Sequence, residues 1–278
     1  MTLLLTCLTP KYIVQVSDRR LTWPDGHLAD DSSNKVVVFG PHAAIAYTGI
    51  SRIGKLPTDD WIAEELSGKA GIEEAITHLT ESLTKRVRNL PFRDRRLAVA
   101  FDCWATTDVA KPNTPWCCTI TNFHDAATAR EIEKPFNTFQ VMRATLPSDK
   151  GYAFLPRGQQ LPPETYKAMV RNLVRTMRHA ARHPSTVQPN TVGRFMMDAV
   201  RQVASKNERV GESLMLTVIL NHQLEEYRQV LNSFAYSRGN SSDLTYYAPT
   251  LVTPTVTIKG LKIYKGPPRF PIKSKGEQ

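Results

Sequence analysis

In Val14-Gln15-Val16-Ser17-Asp18-Arg19-Arg20-Leu21-Thr22 a strand runs out into an Asp-x-Arg-x-Thr sequence. Upstream, Leu3–Leu8 and Tyr12–Ser17 read as a β-hairpin turned by Pro10-Lys11, so the end of the second strand returns to the start of the first. The residue waiting there is Thr2. A small second residue is what methionine-removing enzymes accept, so the mature chain is expected to begin at Thr2. One residue then carries a hydroxyl and a free α-amine. The α-amine has an ordinary pKa of about 7.7–8.0, so roughly a tenth is neutral at pH 7. A hydroxyl needs such a neighbouring base to attack a carbonyl, and an N-terminal threonine carries its own. Downstream, Lys35 opens the apolar strand Val36-Val37-Val38-Phe39, and a hairpin leads to Ala44-Ile45-Ala46-Tyr47-Thr48-Gly49.

Thr2, the Asp18-Arg19-Arg20-Leu21-Thr22 run, Lys35 and the Gly49 turn occur in the order and near-register of the N-terminal-nucleophile hydrolases. The resemblance is to the proteasome β-subunit type and its bacterial relatives, with an interval from Asp18 to Lys35 one residue longer than is usual. It implies that Thr2 is the nucleophile and that Lys35 lowers the pKa of its hydroxyl and amine. Asp18 would orient the Lys35 ammonium, and backbone N–H groups at Gly49 would form the oxyanion hole. Arg20, Leu21, Thr22 and Tyr47 would contact substrate, with Leu21 and Tyr47 walling a restricted apolar side-chain pocket. Taken singly, Asp18 and Arg20 also read as turn residues and Lys35 as a charged strand edge.

The 278 residues, 41% hydrophobic and 22% charged, suffice for a sizeable core. No apolar run reaches membrane-spanning length, and Met1–Leu8 lacks the basic start of a secretory signal. Cys7, Cys103, Cys117 and Cys118 show no CxxC spacing and read as core thiols in a reducing cytoplasm. Cys117 and Cys118 are expected on opposite faces of one strand.

Further elements follow in order. Thr58 is read as the cap of a short helix, with Asp59 and Asp60 in its first turn. A longer helix spans Ile72 to Asn89, and strands follow at Leu97–Trp104, Trp116–Phe123 and Phe139–Ala144. Pro162-Pro163 starts a helix reaching about His183, stopped by Pro184, and Asn190 is read as the cap of the next. Leu214–Leu220 and Tyr227–Phe234 read as strands. Periodicity supports a mixed α/β chain with two sheets. The α+β class, with a four-layer αββα sandwich of the N-terminal-nucleophile type, is what the resemblance implies.

The pattern departs from that family further on. Asn207-Glu208-Arg209-Val210-Gly211 stands where the family usually carries Asp-x-x-Ser-Gly, and Pro156-Arg157-Gly158 is the nearest counterpart of its Gly-Ser-Gly turn. Residues 1–250 are read as one domain. Residues 251–278 are read as a basic, proline- and lysine-rich arm with little order.

The formal net charge is +10. From Thr165 to Arg209 nine Lys or Arg oppose Asp198 and Glu208, and Lys167, Arg171, Arg175, Arg178 and Arg182 recur at three- and four-residue steps as a basic ridge. A solvated face, docking on an acidic face of another subunit, and nucleic-acid binding all stay open. No aromatic residues interleave the ridge and no nucleic-acid motif occurs, so nucleic acid is not expected. His179 and His183 lie one turn apart among arginines, without an acidic partner between them, and read as a solvated pair. Met177 and Met196-Met197 read as core or interface fillers.

The expectation is a cytoplasmic threonine peptidase that needs neither metal nor cofactor. It would act on peptides or unfolded proteins and assemble as a homo-oligomer, with no membrane association. An ATPase partner is a question the sequence leaves open. Two alternatives stand beside it: a catalytically idle assembly relative, and an acylase acting on a small amide.

Overall fold

Every residue of Leu3–Leu8 (β1) and Tyr12–Asp18 (β2) is buried. A strand covered on both faces needs apolar side chains on both, and β1 supplies a nearly unbroken run of them. Leu3, Leu5 and Cys7 enter one apolar cluster with Val14, Val16, Met169, Leu173, Val192 and Met196. Leu4 and Leu8 enter another with Ile13, Val36, Ala44, Ala46 and Trp104.

The computed structural model describes residues 2–22, 27–31, 33–41, 43–91, 94–104, 114–125, 130–147, 151–158, 161–182, 189–221, 223–224, 233–237, 245–247, 249–259 and 262–265. Side chains are described for most of these. After β2 come two short strands, β3 (Leu21–Thr22) and β4 (Leu28–Asp30), then β5 (Val36–Phe39) and β6 (Ala43–Gly49). The brief pair β7 (Arg52–Ile53) and β8 (Leu56–Pro57) leads into helices α1 (Thr58–Leu66) and α2 (Ile72–Val87). Strands β9 (Leu97–Trp104), β10 (Pro115–Thr121), β11 (Gln140–Thr145) and β12 (Ala153–Gly158) precede α3 (Pro163–Arg182) and α4 (Pro189–Ala204). The chain continues through β13 (Leu214–Leu220), β14 (Ser233–Ser237), β15 (Thr245–Tyr247), β16 (Thr250–Val252), β17 (Thr257–Ile258) and β18 (Lys262–Lys265).

This is a mixed α/β architecture. One sheet has the order β12-β1-β2-β13-β14, the other β11-β10-β9-β6-β5-β16-β17. Residues of α3 and α4 share their core with β1, β2 and β13 of the first sheet. Residues of α1 and α2 share theirs with β5, β6, β9 and β10 of the second. The remaining faces of the two sheets meet through Leu4, Ile13, Val38, Ala100, Met215 and Ile219. The period-2 alternation of each strand therefore assigns every residue to a face. Cys118 packs toward the helices of the second sheet, as its parity with Cys103 requires.

Several boundaries differ from the sequence reading. Thr58 is the first residue of α1 rather than its cap, which is Pro57, and its hydroxyl donates to the Ile50 carbonyl at 2.8 Å. Asn190 lies inside α4, which starts at Pro189, and its buried Oδ1 has no hydrogen-bond partner among the described residues. Strand β12 was legible only as a glycine turn, because Pro156 interrupts it. Proline is tolerated there since β12 is an edge strand. The boundary after residue 250 falls within β16, which joins the second sheet parallel to β5, with Leu251 opposite Val38. The first residues of the basic arm thus belong to a sheet, while residues 266–278 lie outside the described ones. Of the strand expected at Tyr227–Phe234, residues 227–232 lie outside them too, as do His183, Pro184 and the side chains of Met177, His179 and Arg182.

Candidate active site

Thr2 sits at the start of β1, the second strand of its sheet, with β12 on one side and β2 on the other. The pairing of Leu4 with Ser17 and of Leu3 with Gly158 sets both neighbours. Asp18 ends β2 beside it, fully buried, and its Oδ2 accepts the Leu3 N–H at 2.7 Å. Its Oδ1 accepts from Arg20 N at 3.0 Å and from Gly211 N at 3.4 Å. The carboxylate thereby holds three separate pieces of backbone around the start of β1.

Lys35 enters from the opposite sheet, immediately before β5, and is fully buried. An ammonium has three protons to donate. The Lys35 Nζ uses them on Thr2 Oγ1 at 2.6 Å, on Asp18 Oδ1 at 3.2 Å and on the Arg20 carbonyl. Burial pushes the Lys35 pKa below its ordinary value, and the neighbouring Asp18 carboxylate opposes that shift. The Thr2 oxygen accepts in this contact, so its own proton is left to be given to a base.

Thr48 contributes a contact the sequence reading did not single out. Thr2 N donates to Thr48 Oγ1 at 3.3 Å. The same hydroxyl is 3.3 Å from the Thr2 carbonyl oxygen, to which it can donate. A signal existed: Thr48 shares the parity of Ala44 and Ala46, which face the other sheet. Two glycines complete the surroundings. Gly49 ends β6 with φ +110°, and a Cβ there would meet the Arg96 carbonyl oxygen at 2.1 Å. Gly158 has φ +77°, and its Cβ would meet the Thr2 carbonyl oxygen at 2.1 Å. Only glycine lets β12 and Thr2 approach this closely.

The structure brings Thr2, Asp18, Lys35 and the backbone of Arg20 together. The Arg20 side chain goes elsewhere: Nε lies 3.1 Å from Asp31 Oδ1, and Nη1 donates to the Glu208 carbonyl at 2.8 Å. It braces the loops around Asp31 and Glu208 rather than presenting a free cation. Leu21 and Thr22 are half-buried in β3, paired with β4. Tyr47 is buried on the face of β6 opposite Thr48, among Ile50, Ile53 and Trp61. Burial, with Asp59 next in effect, raises its hydroxyl pKa. Asn207 accepts from Arg209 N at 3.0 Å, and Val210 packs into the core under α4.

A second buried polar cluster holds β12 in place. Arg157 Nη2 donates to Asp102 Oδ1 at 2.9 Å and Nη1 to Thr6 Oγ1 at 3.0 Å. Thr6 Oγ1 and Gln15 Nε2 donate to Asp102 Oδ2 at 2.7 and 2.5 Å. The cluster spans both sheets, and Arg157 immediately precedes Gly158. Among the described residues, no group of three or more His, Cys, Asp or Glu side chains could hold a metal. No described helix is long and apolar enough to cross a membrane.

The chain matches no protein-family model and no curated protein.

Proposed function

We propose that this protein is a proteasome-like hydrolase of the N-terminal-nucleophile class, in which Thr2, exposed by removal of Met1, cleaves peptide bonds. The observation that carries this reading is the 2.6 Å contact between Lys35 Nζ and Thr2 Oγ1 in a fully buried setting with Asp18. Desolvating an ammonium is costly, and Lys35 directs one of its three protons to the Thr2 hydroxyl beside its pair with Asp18. The three apolar clusters, helix on sheet, sheet on sheet and sheet on helix, support the four-layer αββα form of that class. Four free, buried cysteines fit a cytoplasmic setting.

The chemistry follows from the contacts. The neutral α-amine of Thr2 takes the hydroxyl proton as Oγ1 attacks the substrate carbonyl carbon. Charge passes to the carbonyl oxygen, which the N–H groups at Gly49 stabilise. The amine returns its proton to the leaving nitrogen, the C–N bond breaks, and an ester to Thr2 remains. Water then gives a proton to the same amine and attacks the ester; the C–Oγ1 bond breaks, Oγ1 recovers that proton from the amine, and the acid is freed. Lys35 favours the developing oxyanion at Oγ1 and disfavours a positive charge on the amine, so both groups are tuned by one cation.

The test uses short fluorogenic peptides and a peptide epoxyketone, which needs hydroxyl and free amine on one residue. Hydrolysis and an adduct at Thr2 are expected for the wild type and neither for Thr2→Ala. Equal turnover in the two proteins overturns the reading. Asn207 and Val210, engaged away from Thr2, favour a second reading as an idle assembly relative. That reading predicts Met1-free protein with no adduct.

A further inference from the structure

The two helical coverings carry opposite charge. In α1 and α2 seven Asp or Glu residues face only Lys85 and Arg86, both in the last turn of α2. In α3 and α4 seven Lys or Arg residues face only Glu164 and Asp198. The coverings lie on different sheets whose other faces meet each other, so they form the two outer faces of the molecule.

Both faces have a defined relief. Lys167, Arg171, Arg175 and Arg178 are exposed along α3 and, at about 1.5 Å per residue, extend over roughly 16 Å. Among the described residues Lys167 meets Glu164 at 3.1 Å, and no ion pair engages Arg171, Arg175 or Arg178. On the opposite face an open groove runs along α2, lined by Lys69, Glu73, Glu74, Thr77, His78 and Glu81. Glu73 and Glu74 each hold one cation there, Arg143 and Lys69, while exposed Glu64 and Glu81 form no ion pair among the described residues.

We propose that the α3 ridge of one copy seats in the acidic α2 groove of a second copy, head to tail. Like charges oppose ridge-to-ridge and groove-to-groove contact, so complementarity selects the unlike faces. The contact uses two different surfaces of each copy. It can therefore propagate, closing into a ring or extending as a stack according to the rotation between copies. The interface is independent of the nucleophile, so its test and the hydrolysis test fail separately.

Light scattering on full-length protein at low ionic strength should show assembly that reverses in about 0.5 M NaCl, where screening falls to under ~5 Å. Arg171→Glu/Arg175→Glu cancels the net charge of α3, and Glu74→Lys/Glu81→Lys makes α2 net basic. Each alone should raise the dissociation constant by at least about 10-fold. Mixed together, the two variants should co-assemble. Melting temperatures near the wild-type value exclude misfolding, since all four positions are exposed. A wild-type monomer at low salt, a reversal without effect, or no recovery on mixing overturns the proposal. So does assembly that nuclease treatment abolishes, which would assign the ridge to nucleic acid.

Discussion

The Thr48 side-chain hydroxyl lies 3.3 Å from both the backbone nitrogen and the carbonyl oxygen of Thr2, although 46 residues separate them. It is the one side chain given a hydrogen bond to the Thr2 nitrogen among the described residues. Asn207 and Val210, at the positions where a carboxylate and a hydroxyl would be expected, are turned to other tasks. With Met1 removed, as the proposed function requires, the Thr48 contact would orient the Thr2 amine. Thr48→Val should lower kcat/KM by roughly 10–100-fold, mostly in kcat, and displace the acidic limb of the pH profile, which the amine's pKa sets. Thr48→Ser should restore both. An unchanged pH profile in the valine variant would show that the contact only packs.

The Lys35 cluster predicts non-additivity. Thr2→Ala should abolish peptide hydrolysis, Lys35→Ala should nearly do so, and the double variant should be little worse than either. Asp18→Asn should cost less than Lys35→Ala, since it disturbs the direction of the ammonium without removing it. Thr2→Ser keeps hydroxyl and amine and should retain part of the activity. Independent, additive losses would separate Lys35 from the nucleophile.

Gly158→Ala tests the approach of β12. The added carbon would lie 2.1 Å from the Thr2 carbonyl oxygen, in a backbone region unfavourable to side chains, so Thr2 must shift. Misplacement of reacting atoms by about 1 Å costs on the order of 100-fold in rate. A matching loss of epoxyketone labelling is expected. Normal labelling kinetics would show that Thr2 tolerates the displacement.

Removing one partner of the buried Asp102–Arg157 pair should cost more than removing both. Asp102→Ala leaves the Arg157 guanidinium buried and unpaired, a loss of about 3–5 kcal/mol in urea denaturation. Adding Arg157→Met should recover part of it. If the double variant is as unstable as the sum of the singles, the pair is not coupled.

Asp59, nearly buried in the first turn of α1, has its pKa raised from 3.8 to about 6 by burial and then by Asp60. A folded-state value above the unfolded one stabilises the protein below the unfolded pKa, and that contribution is lost as pH rises through the folded value. Stability should therefore fall between about pH 4 and 6 through this group. Asp59→Asn keeps the uncharged form and should gain up to about 3 kcal/mol at pH 7, but little at pH 4. Melting curves at both pH values check it; a gap that does not widen with pH rules it out.

Much of the fold was legible in single segments. Leu97–Trp104 and Leu214–Leu220 coincide with strands, and the helix from Ile72 ends within two residues of its expected stop. These elements are written in local period and composition. The strands that were missed depend on partners distant in sequence. Strand β12 exists because β1 offers it an edge, and β16 because β5 does.

The candidate site divides in the same way. By itself the sequence determined the hairpin that returns Asp18 to Thr2, from strand period and turn spacing, and placed Lys35 at the head of an apolar strand and Gly49 at the end of another; that Lys35 and Gly49 join the site is what the resemblance implied. Only the tertiary structure decided that Thr48 meets the Thr2 nitrogen, that the Arg20 side chain turns to Asp31, and that Tyr47 enters the core over α1. Strand parity names the face on which a side chain lies. What it meets there depends on packing one sheet against another.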